Sequence, residues 1–265
     1  MKKIKILSVL LLLVSTAAFI AFNMYMNVIV DDEPPVVTCQ QKEQVAPIDV
    51  TEKELLRGVK AKDNRSGDVT DSLMVEKMSA FSDDGKRVVT YAAVDDSMNV
   101  GRCEQTITYE GYEPARFHMD SSLCYKIGRK VDLLSNITAE SVLDGDLTGK
   151  IKYALKSSIN TSTVGNYPIE YRVMDSGGKV VYLNTYVEVC EASELAFEVY
   201  LTDYLVYLNV GDWFSAETYF AGSEREGTLY FNSDLDVQTP GTYYVDYIVD
   251  NGSVSGKARL VVVVE

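Results

Sequence analysis

Gly165-Asn-Tyr167-Pro-Ile169-Glu-Tyr171-Arg-Val173-Met-Asp175 decides how the rest of the chain is read. Apolar or aromatic residues occupy every second position, the mark of a strand with one buried face. Glycine before the run and aspartate after it are turn residues. The design recurs upstream as Gly85, Arg87, Val89, Tyr91, Ala93 and Asp95. It recurs downstream as Gly241, Tyr243, Val245, Tyr247, Val249 and Asn251. The glycines stand 80 and 76 residues apart (85 to 165, 165 to 241). A period that long is a small domain, rather than one unit of a solenoid.

Working outward, Gly67-Asp68-Val69-Thr70 aligns with Gly145-Asp146-Leu147-Thr148, and Gly227-Thr228-Leu229-Tyr230 stands where the third copy of this turn is expected. Leu73–Glu76 and Ile151–Leu155 follow as candidate strands. Glu104–Tyr109, Tyr182–Val189 and Ala258–Val264 close the three units. Val36–Cys39 reads as an opening edge strand, because Pro34 and Pro35 exclude helix before it. Thr51 and Glu54 have capping-box spacing, which predicts one helical turn. Turn signals recur about every ten residues, and no long 3.6-period segment lies beyond the N-terminus. The expectation is all-β, three tandem β-sandwiches over residues 31–111, 112–192 and 193–265.

The N-terminus is different. Lys2, Lys3 and Lys5 precede an apolar run over residues 6–30, interrupted by Ser15, Thr16, Asn23 and Asn27, and Asp31, Asp32 and Glu33 follow. About 20 apolar residues cross a bilayer. The lysines predict a cytoplasmic N-terminus and an exported remainder. A cleaved signal peptide is the competing reading, with Ser15/Ala17 or Thr16/Ala18 as small residues at a cleavage site. The apolar run continues through Phe19, Ile20, Phe22, Met24 and Met26, which favours an uncleaved anchor. No cysteine follows the run, no second apolar segment appears and no sorting tail is seen before Glu265. The expected location is the bacterial cell membrane, single-pass, with the C-terminal region outside.

The chain has 25 basic and 39 acidic residues, a net charge of −14. Residues 1–30 carry +3, 31–111 carry −7, 112–192 carry −1 and 193–265 carry −9. Such a surface repels phosphate backbones, so no nucleic-acid partner is expected. Cysteines stand at 39, 103, 124 and 190, with no C-x-x-C to indicate zinc or thioredoxin-type chemistry. Outside the membrane they favour disulfides. Four cysteines allow three connectivities. Cys39–Cys103 and Cys124–Cys190 are favoured because each pair joins the first strand region of a domain to its last, with separations of 64 and 66 residues.

The G-D-V/L-T turn, followed by G-x-Y-x-[VI]-x-Y-x-V-x-[DN] and a closing strand, resembles the bacterial immunoglobulin-like domains. The likeness is to the group first described from a pesticidal crystal protein, where D-G-D-V-T precedes G-T-Y-x-V-x-Y-x-V-x-D. It covers about residues 34–265. The second copy fits best, and the first departs at Arg87 and Ala93. The resemblance implies tandem immunoglobulin-like sandwiches acting outside the cell as spacers, adhesins or binding units, with no catalytic residues.

The chemistry-bearing residues agree with that implication. The one histidine, His118, lies on an expected edge strand without a nucleophile context such as G-x-S-x-G. Asp63, Asn64, Asp68, Asp71, Asp95 and Asp96 could gather at one domain end as hard oxygen ligands for calcium. Without EF-hand or RTX spacing they are assigned to turn capping, so no metal and no cofactor are expected. The third domain holds 13 of the chain's 27 aromatic residues. Adjacent rings on a regular strand cannot both face inward, so Trp213, Phe214, Tyr219 and Phe220 are the expected partner-binding residues. The expected function is a non-enzymatic, membrane-anchored stalk for adhesion or protein interaction. Binding of a cell-envelope carbohydrate is the alternative.

Overall fold

The computed structural model describes residues 2–29 and 31–265. Met1 and Val30, included above in the N-terminal reading, lie outside the described residues, as do the side chains of Lys2, Lys3, Lys5, Asn27, Val28 and Ile29. Helix α1 spans Lys2–Ile29. Its segment Ile6–Met26 has a mean hydropathy of 2.3. At 1.5 Å per residue that segment is about 30 Å long, the thickness of a bilayer core. Length and composition fit a signal and an anchor alike.

Three β-sandwich-like domains follow. The first contains β1 (Val36–Cys39), β2 (Glu43–Pro47), a single helical turn α2 (Glu52–Leu55), β3 (Val59–Lys62), β4 (Met74–Met78), β5 (Lys86–Val94) and β6 (Val100–Glu110). The second contains β7 (Arg116–Met119), β8 (Cys124–Lys126), β9 (Ile137–Ser141), β10 (Gly145–Asp146), β11 (Lys152–Leu155), β12 (Gly165–Met174) and β13 (Val180–Cys190). The third contains β14 (Val199–Leu201), β15 (Leu205–Leu208), β16 (Phe220–Ser223), β17 (Thr228–Ser233), β18 (Gly241–Asp250) and β19 (Ser255–Val264). The four-stranded sheets run β2-β6-β5-β4, β8-β13-β12-β11 and β15-β19-β18-β17. In each, the first-named strand runs parallel to its neighbour and the remaining pairs are antiparallel. The smaller sheets are β1-β3, β10-β9-β7 and β14-β16.

The three alternating stretches are β5, β12 and β18. Tyr91, Tyr171 and Tyr247 at their centres are fully buried. Each hydroxyl donates to a different acceptor: Gln105 Oε1 at 3.1 Å, the Leu133 carbonyl at 2.8 Å and the Ala216 carbonyl at 2.8 Å. Burial disfavours the phenolate, so the Tyr91 pKa is pushed up to about 12 and those of Tyr171 and Tyr247 are also raised. The expected helical turn is α2, and Thr51 and Glu54 cap it reciprocally.

One turn is corrected. Gly227–Tyr230 is not the third copy of the G-D-L-T turn, since β17 begins at Thr228. Residues 224–227 join β16 to β17 directly. Gly227 is required there because a side chain would meet the Asp250 carbonyl 2.6 Å from its first carbon.

The cysteines divide. Cys39 and Cys103 form a disulfide. It closes a loop that lowers unfolded-state entropy by about 4 kcal/mol in the chain-entropy model. The expected Cys124–Cys190 bridge is not made, and both are thiols. Register gives the reason. On the parallel strands β8 and β13, Cys124 is opposite Glu188 while Cys190 is opposite Lys126. The two residues are thus offset by two positions across neighbouring strands, and their thiols meet without forming a disulfide. The hydrogen bond with Cys190 and burial hold the Cys124 thiol well above its ordinary pKa, which disfavours the thiolate.

The outer face of the third domain's large sheet is covered along β15 and β19. Leu205 and Val261 join the core of the second domain, alongside Phe117, Ile137, Leu183 and Val187. On the same face Lys257 and Arg259 of β19 meet Asp246 of β18 and Glu188 of β13. Lys257 Nζ lies 2.8 Å from Glu188 and 3.0 Å from Asp246. Arg259 is 2.8 Å from Glu188 and pairs twice with Asp246, at 2.5 and 2.8 Å. Its guanidinium also lies 4.6 Å from the centre of the Tyr186 ring. Burial opposes both cations, but the hydrogen bonds and charges of the two carboxylates outweigh it. The pKa values of Lys257 and Arg259 are raised.

Two outcomes follow from these contacts. Non-reducing peptide mapping should recover a linked Cys39–Cys103 peptide and alkylatable Cys124 and Cys190. A Cys124–Cys190 link would contradict the register given above. Glu188→Ala leaves two buried cations facing one carboxylate, and breaking such a pair costs about 3–5 kcal/mol. Urea unfolding followed on the tyrosines of residues 111–265 should move to markedly lower denaturant, and an unchanged midpoint would mean that the network is not closed.

Candidate functional site

The third domain sets its aromatic residues apart by local backbone. Asp212 Oδ2 accepts from both the backbone and side-chain nitrogens of Asn209, closing a tight turn after β15. Trp213 follows that turn and is 83% exposed, far above any other large aromatic residue beyond α1. Phe214 turns back towards the core, and its ring stacks on Tyr219 with centroids 5.5 Å apart. Tyr219 ends a 3-10 turn (Ala216–Tyr219) and Phe220 starts β16, so this adjacent pair escapes the strict alternation of a strand. Both rings are half-buried against the third-domain core.

Trp213 and Phe214 line one shallow groove of about 560 Å³, together with Phe231, Leu235, Val237 and Asp212. Tyr219 and Phe220 are not among its lining residues. Phe231 is 38% exposed and meets the buried Tyr247 edge-on at 5.2 Å. Exposed Asp234 and Asp236 flank Leu235 on the loop beside the groove, each fixed by capping bonds, to the Tyr244 nitrogen and the Gln238 nitrogen. The groove therefore has an apolar floor and an acidic rim. Phe231, Leu235 and Val237 escaped the sequence reading, because spacing alone does not show which loop folds over Trp213.

A second concavity, a cleft of about 420 Å³ in residues 111–265, has the opposite character. Lys126, Arg129, Lys130 and Lys257 line it, with Ser122, Asn136 and Glu198. Lys126, Arg129 and Lys130 stand together in the sequence, and the fold adds Lys257 from β19 to them.

The remaining candidates are placed as follows. His118 is exposed on edge strand β7, with Nε2 3.1 Å from Glu140. Cys124, Glu188 and Cys190 bring their ligand atoms together, but Glu188 already serves Lys257 and Arg259. Of the acidic turn residues in the first domain, Asp68 caps Thr70, and Asp71 and Asp96 are exposed. Asp63 and Asp95 come together, and Asp31 joins them from the segment after α1.

Comparison with known proteins bears on the domains. Residues 30–109 match the HYR domain, and residues 120–189 match the Ig-like domain of bacterial surface proteins. No curated protein matches the chain. Among solved structures, one of CBM51-2 in complex with GlcNAc and INT domains from Clostridium perfringens ZmpB is 12% identical, covering 57% of this chain and 26% of that one, with a TM-score of 0.24. A lipoprotein from Bacteroides thetaiotaomicron is 12% identical over 56% of this chain and 99% of that one, with a TM-score of 0.25. The protocadherin GammaB4 extracellular domain is 12% identical over 88% of this chain and 50% of that one, with a TM-score of 0.21. This chain spans about a quarter of the length of the first. Similarity this low carries no functional argument. The sequence matches establish an HYR domain and a bacterial-surface Ig-like domain behind an N-terminal apolar helix.

Proposed function

We propose that the chain is a non-catalytic, single-pass membrane protein that holds its Ig-like domains outside the cell and binds a basic protein partner through the Trp213 groove. Exposure of Trp213 over an apolar floor carries this reading, since exposed aromatic residues beside a pocket dominate binding energies. Charge supports it. Residues 193–265 carry −9, and two of their three cations, Lys257 and Arg259, are consumed in buried ion pairs. The surface field of this domain is thus more acidic than its composition indicates, which steers a cationic partner towards it. An uncleaved α1 would keep the domains tethered, and the continuation of its apolar segment to Met26 supports retention.

The second reading, binding of a cell-envelope carbohydrate, is favoured by the basic cleft at Lys126, Arg129 and Lys130, which suits an anionic polymer. One comparison separates the two. Native envelope proteins and anionic envelope polysaccharide are each passed over immobilised full-length chain, at low and physiological salt. Trp213→Ala should lower retention of a basic protein roughly thirty-fold, matching a hot spot of about 2 kcal/mol, without shifting the melting temperature. Joint replacement of Lys126, Arg129 and Lys130 by alanine should leave that retention intact. Unchanged protein binding by Trp213→Ala sinks the groove. Polysaccharide retention that disappears with the triple change establishes the second reading instead.

A further inference from the structure

The first domain gathers three carboxylates at its N-terminal edge, and one of them keeps a buried oxygen that no described donor reaches. Asp31, Asp63 and Asp95 each present a ligand atom, and the three atoms lie within 4.8 Å of one another. Asp63 is 3% exposed and Asp95 is 5% exposed. Asp63 Oδ1 accepts the backbone nitrogens of Arg65 and Ser66, at 2.7 and 2.6 Å. Asp63 Oδ2 is buried and has no hydrogen-bond partner among the described residues. An unpaired, buried carboxylate oxygen is costly to keep.

The neighbouring groups do not close the site. Asp95 Oδ1 accepts the Ser97 and Asn99 nitrogens, each at 2.8 Å, and Oδ2 accepts Asn99 Nδ2 at 2.9 Å. The nearest cation, Arg65, sits 3.9 Å from Asp31 Oδ1 and leaves the trio with an excess of negative charge. Asn64 donates to Glu33, which brings a fourth carboxylate to the edge. The segment carrying Asp31 and Glu33 is docked. Asn99 Nδ2 donates to the Asp31 carbonyl at 3.0 Å and the Glu33 carbonyl at 3.3 Å. Gly101 admits Pro35 so closely that a side chain there would meet the Pro35 carbonyl at 1.8 Å.

The second domain offers a built-in comparison. Asp175 holds the place of Asp95, ten residues after the glycine that starts the alternating strand. There the Tyr112 hydroxyl donates to Asp175 Oδ2 at 2.9 Å. Four residues before the turn glycine, where the first domain has Asp63, the second has Ser141. In the second domain one hydroxyl, that of Tyr112, reaches the aspartate, and a serine stands where the first domain has a second buried carboxylate.

We infer that Asp31, Asp63 and Asp95 form a calcium-binding site that ties the segment following α1 to the first domain. Oxygen–calcium distances of 2.3–2.6 Å place opposite ligands of one ion about 4.6–5.2 Å apart. The ligand atoms of this trio, all within 4.8 Å of one another, lie close enough to share one such ion. Carboxylate oxygens suit its hardness. Its charge offsets a cluster of three carboxylates that a single cation, Arg65, faces among the described residues, and it reaches the unpartnered Asp63 Oδ2. When the ion binds, residues 31–35 are pinned to the domain edge, and the connection from α1 stiffens.

The test uses the full chain in detergent, stripped with a chelator and titrated with calcium chloride or magnesium chloride in a calorimeter. The expected result is one calcium site with Kd of about 10⁻⁴–10⁻³ M, the range of extracellular modules. Asp31→Asn and Asp63→Asn should each weaken it at least tenfold. Asp63→Asn keeps the Oδ1 acceptor of the turn while removing charge. If it nevertheless fails to fold, Asp31→Asn decides, because Asp31 lies outside every strand. Absence of calcium binding up to about 10 mM, well beyond that range, overturns the inference. So does binding that neither variant changes, or magnesium binding as tight as calcium.

Discussion

Each domain is organised around one buried tyrosine that cannot be buried alone. Tyr91, Tyr171 and Tyr247 sit at the centre of their sheets, where the ring contributes core volume and the hydroxyl demands a partner. An unpartnered buried hydroxyl costs about 1–3 kcal/mol, a sizeable share of a small domain's stability. The chain meets this demand differently each time, with a glutamine side chain, a carbonyl on the loop before β9 and a carbonyl in a 3-10 turn. The large sheets keep one strand order, while the loops that serve the tyrosines diverge. This explains why the repeat is clearest in the alternating strand and faint elsewhere.

That pattern also explains what could be read from the sequence. Alternation with flanking glycine and aspartate located β5, β12 and β18 to within a residue or two, because a buried face forces period two. The capping box at Thr51 and Glu54 was legible because both partners lie within one turn. The Cys124–Cys190 pairing misled because spacing along the chain says nothing of register, and β8 and β13 set the two residues two positions apart with both thiols free. The Glu188–Lys257–Asp246–Arg259 network left only a faint signal: two cations at alternate positions in an otherwise valine-rich closing strand. Likewise Asp63 and Asp95 could be placed at one domain end, but Asp31 looked like part of a solvated junction until Gly101 and Asn99 were seen to dock its segment.

The third domain shows how one sheet can be buried on both faces. Leu260 and Val262 face its own core, while Val261 and Leu205 belong to the core of the second. Hydrophobic contact alone would allow the two domains to slide, since apolar burial is non-directional. The buried ion pairs add direction: Glu188 must meet both Lys257 and Arg259, and only one relative placement allows this. Residues 111–265 therefore form a single compact unit, although their sequence reads as two repeats.

The Cys39–Cys103 disulfide has a mechanical consequence. A stretched polypeptide gains up to roughly 3.5 Å per residue when a domain is pulled open. Because the bond spans a separation of 64 residues, a pull on both ends of the first domain bypasses everything between the two sulfurs. The shielded segment would otherwise release more than about 200 Å of slack. Only the short flanks outside the bond, from Asp31 to Cys39 and from Cys103 to Glu110, can pay out. Under load the first domain behaves as a link of nearly fixed length, even if its strands part.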